Sequence, residues 1–89
     1  MKVKVKYLAR FRTLAGIDEE VLELPEGATV KDLIEEIKKR HPKFREEVFG
    51  EGFDEDADAN IAVNGRYVSW DEKLNDGDVV GIFPPVSGG

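Results

Sequence analysis

Eighty-nine residues, 40% of them hydrophobic, describe one small domain, able to bury only about 60–65% of the surface its unfolded chain exposes and too small to enclose a cofactor cavity as well. The formal charge of -6 sets up a field that disfavours nucleic acid and anionic membrane as partners. The absence of cysteine excludes disulfides, thiolate metal sites and a thiol nucleophile together.

Residues 2–8 alternate strictly, with Val3, Val5 and Tyr7 on one face and Lys2, Lys4, Lys6 and Leu8 on the other. Period two predicts a half-buried strand and leaves Leu8 as an apolar residue on the polar side. The lysines read as a solvated strand face rather than a basic binding stripe, given the acidic whole. Such a start is no signal peptide and no long apolar run follows, so a cytoplasmic protein is expected. Phe11, Leu14 and Ala15 recur at helical spacing before Gly16, which predicts a helical turn closed by a glycine cap. Val21 to Leu24 reads as a second strand stopped at Pro25, making an opening hairpin with the first.

Thr29 to Arg40 is the clearest helix. Thr29 and Asp32 have capping-box spacing, and Val30, Leu33, Ile34 and Ile37 share one face. Asp32, Glu35 and Glu36 precede Lys38, Lys39 and Arg40 along it, with Glu35–Lys39 and Glu36–Arg40 spaced to pair. Pro42 stops the helix near His41, which reads as a helix-end cation or plain surface residue rather than a catalytic group. Phe44, Val48 and Phe49 are expected to cover one end of the core from a short helical segment. Gly50 to Asn60 is acidic and expected to be nearly structureless. Asp54, Asp56 and Asp58 start like a calcium loop, but Ala59 stands where the turn needs glycine and Gly65 where a bidentate glutamate belongs. A solvated loop that discourages edge pairing is the reading taken, with no metal site in the chain.

Asn64-Gly65 between Ile61-Ala62-Val63 and Arg66-Tyr67-Val68 predicts a hairpin with a type I′ turn. Its register puts Ile61, Val63 and Val68 on the core and Ala62 and Tyr67 on the other face. Trp70 and Leu74 are expected core anchors, and Asn75-Asp76-Gly77-Asp78 is a turn. Val79 to Phe83 is the last strand, with Val80 and Ile82 inward and Gly81 and Phe83 outward. It runs into Pro84-Pro85-Val86-Ser87-Gly88-Gly89. Two prolines stiffen the exit, Gly88 and Gly89 present the thinnest possible peptide, and six extended residues reach roughly 20 Å.

Strand, strand, one long helix and more strands predict an α+β fold in which a mixed sheet carries one main helix on one face. The economical arrangement is a ubiquitin-like β-grasp, a single domain over residues 1–83 with an extended, flexible tail at 84–89. Its first and last strands lie parallel, which places Leu8 near Phe83, with Tyr67 on a neighbouring strand. Three apolar side chains then share the helix-free face, as a docking surface would.

The segment Ala9 to Gly16 with Arg12, the Val63-Asn64-Gly65 turn, Leu74 with Asp76-Gly77-Asp78, and the tail from Phe83 to Gly89 resemble the ubiquitin-like sulfur carriers, and among them the small subunits of molybdopterin synthase. Thr13 stands where many relatives have glutamate, and the Gly50–Asn60 stretch is longer than usual. The resemblance implies a carrier that is not itself an enzyme and binds no cofactor. An E1-like adenylyltransferase would use ATP to adenylate the Gly89 carboxylate, and a sulfur donor protein would convert it to a thiocarboxylate. The large synthase subunit would bind the chain through Leu8, Tyr67, Phe83, Pro84, Pro85, Val86, Ser87 and Gly88 and carry the catalysis. Related roles left open are a sulfur carrier for thiazole synthesis or tRNA thiolation, and a protein modifier conjugated through Gly89.

Overall fold

The strict alternation at the start of the chain becomes strand β1, Lys2–Tyr7, with Val3, Val5 and Tyr7 buried. These elements belong to a computed structural model that describes residues 1–85. Helix α1, Arg10–Ala15, buries Phe11 and ends at Gly16 in the left-handed conformation. Strand β2, Glu19–Glu23, pairs antiparallel with β1. It starts two residues earlier than the apolar run suggests, because pairing with Lys6 at Glu19 continues past that run. Val21 consequently faces solvent while Leu22 is buried.

Helix α2, Val30–Arg40, forms where the capping signal lies: the Thr29 side chain accepts from the Asp32 N–H and the Asp32 carboxylate from the Thr29 N–H. Val30, Leu33, Ile34 and Ile37 form its buried face. Of the two expected ion pairs Glu36–Arg40 is present, and Glu35–Lys39 is not among those formed. Such exposed pairs contribute about 0.3–0.5 kcal/mol, so the cap and the apolar face decide the helix. A 3-10 segment, Pro42–Glu46, then inserts Phe44 against Phe11 and Tyr7, with ring centroids 5.8 and 5.6 Å away. Phe49 is buried as expected, but Val48 is 62% exposed. Its carbonyl instead accepts the Asp58 and Ala59 N–H groups, which ties down the following loop.

Strands β3, Asn60–Val63, and β4, Arg66–Tyr67, form the expected hairpin, with Ala62 opposite Tyr67 and Val63 opposite Arg66. Asn64 and Gly65 have φ of 51° and 81°, the sign that a type I′ turn requires at both centres. Strand β5, Val79–Phe83, lies in the middle of the sheet, parallel to β1 and antiparallel to β3. The order β2-β1-β5-β3-β4, with one helix across one face, is a β-grasp. Val80 and Ile82 are buried and face the helix side with Ile61 and Val63. Leu74 joins this core; Trp70 sits at its edge, half-buried.

Residues 50–60 are not the structureless loop expected. Ala57, Ala59 and Asn60 are buried, Gly50 N–H donates to the Ala59 carbonyl at 2.8 Å, and Gly52 N–H to Val68 at 3.0 Å. The Asn60 side chain clamps Asp54, accepting from its N–H at 2.7 Å and donating to its carbonyl at 2.9 Å. The Asp54 and Asp58 carboxylates accept the N–H groups of Asp56 and Val48, so they hold the loop itself together. Gly50 is packed so closely that a Cβ there would lie 2.6 Å from the Asp54 Cβ.

Two substitutions test this account. Thr29→Ala removes the helix cap and should cost about 1 kcal/mol, a fall in Tm of roughly 4–8 °C for a domain this small. Gly50→Ala should cost on the order of 1–3 kcal/mol through overpacking. Urea unfolding of both variants measures these losses directly.

Candidate functional site

On the helix-free side of the sheet, one row crosses all five strands: Glu19, Lys6, Gly81, Ala62 and Tyr67. Gly81 and Ala62 leave a shallow floor in its middle, and larger side chains close in over it. Leu8, just past β1, donates its N–H to the Ile82 carbonyl at 3.0 Å. Its Cδ1 lies 4.0 Å from where a Cβ on Gly81 would sit. Phe83 stands two residues along on the same face, half-buried, and its ring centroid is 6.2 Å from that of Tyr67. Leu8 is 46% exposed and Tyr67 52%.

Leu8, Tyr67 and Phe83 therefore share the face on which they were expected. One detail differs: Tyr67 is not on a strand adjacent to that of Phe83, because β3 lies between β5 and β4. The two rings meet across that intervening strand, on the side where its Ala62 adds only a methyl group. Pro84 and Pro85 follow Phe83 directly, half-buried at the end of the central strand. The candidate residues Val86, Ser87, Gly88 and Gly89 lie outside the described residues.

The surface also contains a residue the sequence reading missed. Phe53, from the 50–60 loop, is 52% exposed and packs against Tyr67 in a tilted pair with centroids 5.5 Å apart. The available signal was one large aromatic in a run otherwise composed of acids and small residues.

Residues 5–89 match the ThiS family. The chain belongs to the ThiS family. A molybdopterin synthase sulfur carrier subunit from Chlamydomonas reinhardtii is 37% identical over 91 residues, with both chains covered in full. A Pyrococcus furiosus protein provisionally named molybdopterin converting factor, subunit 1, has a structure that superposes with a TM-score of 0.95 at 82% identity, over 97% of this chain and 99% of that one. Small archaeal modifier protein 1 of Haloferax volcanii superposes with a TM-score of 0.82 at 29% identity, again with both chains fully covered. Among the described residues of this ThiS-family chain, no helix is long and apolar enough to cross a membrane.

The single histidine of this ThiS-family chain is neither a plain surface residue nor part of the apolar face. His41 is half-buried at the end of α2, where its Nε2 lies 2.6 Å from the Glu20 carboxylate. The same carboxylate oxygen accepts the Tyr7 hydroxyl at 2.5 Å, and the other is 3.5 Å from Arg40. Burial, reinforced by the adjacent Glu20 charge, pushes the Tyr7 hydroxyl above its ordinary range. Burial alone would raise the Glu20 carboxyl, but hydrogen bonds from Tyr7 and His41 and the charges of His41 and Arg40 outweigh it and hold that carboxyl below its ordinary value. The cluster joins β1, β2 and the end of α2 across the sheet edge.

A depressed carboxylate stabilises the fold at pH above its unfolded value, about 4.3, and that contribution is lost as pH falls through the folded value. Glu20→Gln should therefore lower Tm near neutral pH and flatten its acid-side decline as pH falls below about 4.3, relative to wild type. Thermal melts from neutral pH to below that value measure both effects.

Proposed function

We propose that this chain is a sulfur carrier acting as the small subunit of molybdopterin synthase, with residues 84–89 serving as the carrier arm and Gly89 as the loaded residue. The observation that carries the reading is the junction at Phe83. The central strand of the sheet leads directly into Pro84 and Pro85, and an aromatic and aliphatic surface borders that exit. Support comes from the ThiS-family membership and from full-length similarity to a protein named as a molybdopterin synthase sulfur carrier subunit.

The chemistry follows from the terminal group. A carboxylate is ionised near neutral pH and is a poor electrophile. An activating enzyme related to E1 would let the Gly89 carboxylate attack the α-phosphate of ATP, releasing pyrophosphate and leaving a mixed anhydride that accepts nucleophiles. The terminal sulfur of a persulfide donor then displaces AMP to give an acyl disulfide, and a thiol attacks the donor-side sulfur of that bond, releasing the thiocarboxylate and leaving the donor as a disulfide. The large synthase subunit would take up Val86 to Gly89 in its active-site channel, where the sulfur passes to a pterin precursor. The chain's own part is to deliver and orient: Gly88 has no side chain to meet a channel wall, and Leu8, Tyr67 and Phe83 would dock the body. Catalysis would reside in the partners.

A second reading is protein modification through Gly89. It is favoured by the full-length likeness to a chain named as a small archaeal modifier protein. The same activated tail serves both chemistries. Isopeptide-linked targets in cell extracts would point to conjugation, and co-purification with one larger subunit would point to the synthase.

Incubation with the activating enzyme, ATP and a sulfur donor should make the intact protein heavier by the difference between one sulfur and one oxygen atom. A chain lacking Gly88 and Gly89 should gain nothing, while its stability stays within roughly 0.5 kcal/mol of wild type. Gly88→Val should block adenylation with an unchanged melt. Restoration of molybdopterin synthesis by the truncated chain in deficient cells would overturn the carrier reading. On the docking face, Tyr67→Lys and Phe83→Ala should each weaken binding to the large subunit by about 2 kcal/mol, measured by calorimetry beside their melting temperatures.

A further inference from the structure

The 50–60 loop contributes an aromatic residue to the open face of the sheet, and it does so from a fixed position. Phe53 is flanked by the Gly52 N–H bond to Val68 and by the two-way Asn60–Asp54 clamp. About half of the residue remains in solvent, beside a tyrosine exposed to the same degree. Phe53, Tyr67 and Phe83 thus form one continuous line of rings, with successive centroids 5.5 and 6.2 Å apart, ending at the root of the tail. Rigidly held, half-exposed aromatics lose little freedom on being covered, which is what suits such groups to anchor an interface.

Charge around this line is unequal at its two ends. Residues 51–58 carry Glu51, Asp54, Glu55, Asp56 and Asp58 and no basic residue. Glu51 accepts the Trp70 N–H, and Asp54 and Asp58 bond within the loop. Glu55 and Asp56 are exposed, and their carboxylates take part in none of the ion pairs formed among the described residues. Toward Leu8 the same face carries Lys6, exposed between Glu19 and Gly81, so the two signs alternate there. An apolar line that is acidic at one end only fits a partner in one orientation.

We infer that the 50–60 loop is a recognition element for the large synthase subunit, in which Phe53 fills an apolar pocket and Glu55 and Asp56 face a basic rim beside it. The inference rests on the sulfur-carrier reading, because that reading supplies the partner that takes the tail. It adds a surface that neither the tail nor the Leu8, Tyr67 and Phe83 cluster contains, and it assigns that surface a role in choosing and orienting the partner.

The test uses the full-length protein and its cognate large subunit. Phe53→Ser should weaken their affinity by at least about tenfold, as loss of an interface anchor does, with no change in melting temperature. Glu55→Lys combined with Asp56→Lys should slow association at low salt, and the deficit should shrink as salt rises. The double charge reversal leaves the aromatic line untouched, so it tests the loop even where Phe53→Ser perturbs folding. Phe53→Ser binding within about twofold of wild type, or charge reversal that leaves association unchanged or speeds it, overturns the inference. If Phe53→Ser impairs adenylation while large-subunit binding is intact, the surface belongs to the activating enzyme and the inference fails. Absence of wild-type binding to the large subunit removes the sulfur-carrier reading as well, whereas wild-type binding with an unaffected Phe53→Ser removes this inference alone.

Discussion

Parallel pairing of β1 with β5 is the interaction on which the remaining architecture depends. It brings Lys4 beside Val79 and Tyr7 beside Ile82, joining segments about seventy-five residues apart in sequence. Both strands are flanked on each side by another, so their inward residues Val3, Val5, Tyr7, Val80 and Ile82 are all buried. Closing so long a loop is entropically costly, and that cost is offset only when α2 and the hairpin cover the same core. A consequence for function is mechanical. The chain leaves the sheet at Pro84 from its central strand, so the direction of Pro84 is set by the body as a whole rather than by an edge strand.

Small residues set the shape of the open face as much as large ones. Gly81 and Ala62 lie side by side in the central strands, and the lack of bulk there lets Leu8, Tyr67 and Phe83 approach over a common floor. The opposite face follows the reverse rule, with branched and aromatic side chains filling the space beneath α2. One sheet thus carries a dry core on one side and a shallow apolar seat on the other, and the period-two alternation of each strand keeps the two apart.

Much of this was legible in the sequence because the signals were local. Thr29 and Asp32 are three residues apart, Asn64 and Gly65 are adjacent, and alternation in β1 and β5 spans a few residues each, so helix, hairpin register and strand faces could all be read. Interactions set by distant partners could not. Glu20 meets His41 only because β2 lies beside the end of α2, and neither residue signals the other in sequence. The 50–60 segment was read through its carboxylates, but its order comes from the buried Asn60 amide and from the space that Gly50 leaves for Asp54. Phe53 was lost with it. Val48 failed in the opposite sense: its apolar character suggested burial, whereas its backbone is what the structure uses.

The turn at Asn64-Gly65 bears on how long the molecule lasts as well as on how it folds. Asparagine followed by glycine is the pair most prone to spontaneous deamidation, since the unhindered glycine nitrogen can attack the side-chain amide and close a succinimide ring. Here the Asn64 amide is engaged from both ends: its Nδ2 donates to Asp78 at 2.9 Å and its Oδ1 accepts the Val79 N–H at 3.0 Å. Ring closure would require both bonds to break and the side chain to swing away from β5, so chemical ageing at this position is coupled to opening of the hairpin. Conversion to aspartate would replace the amide donor with a second carboxylate facing the largely buried Asp78, at the point where the hairpin is fastened to the strand that carries the tail.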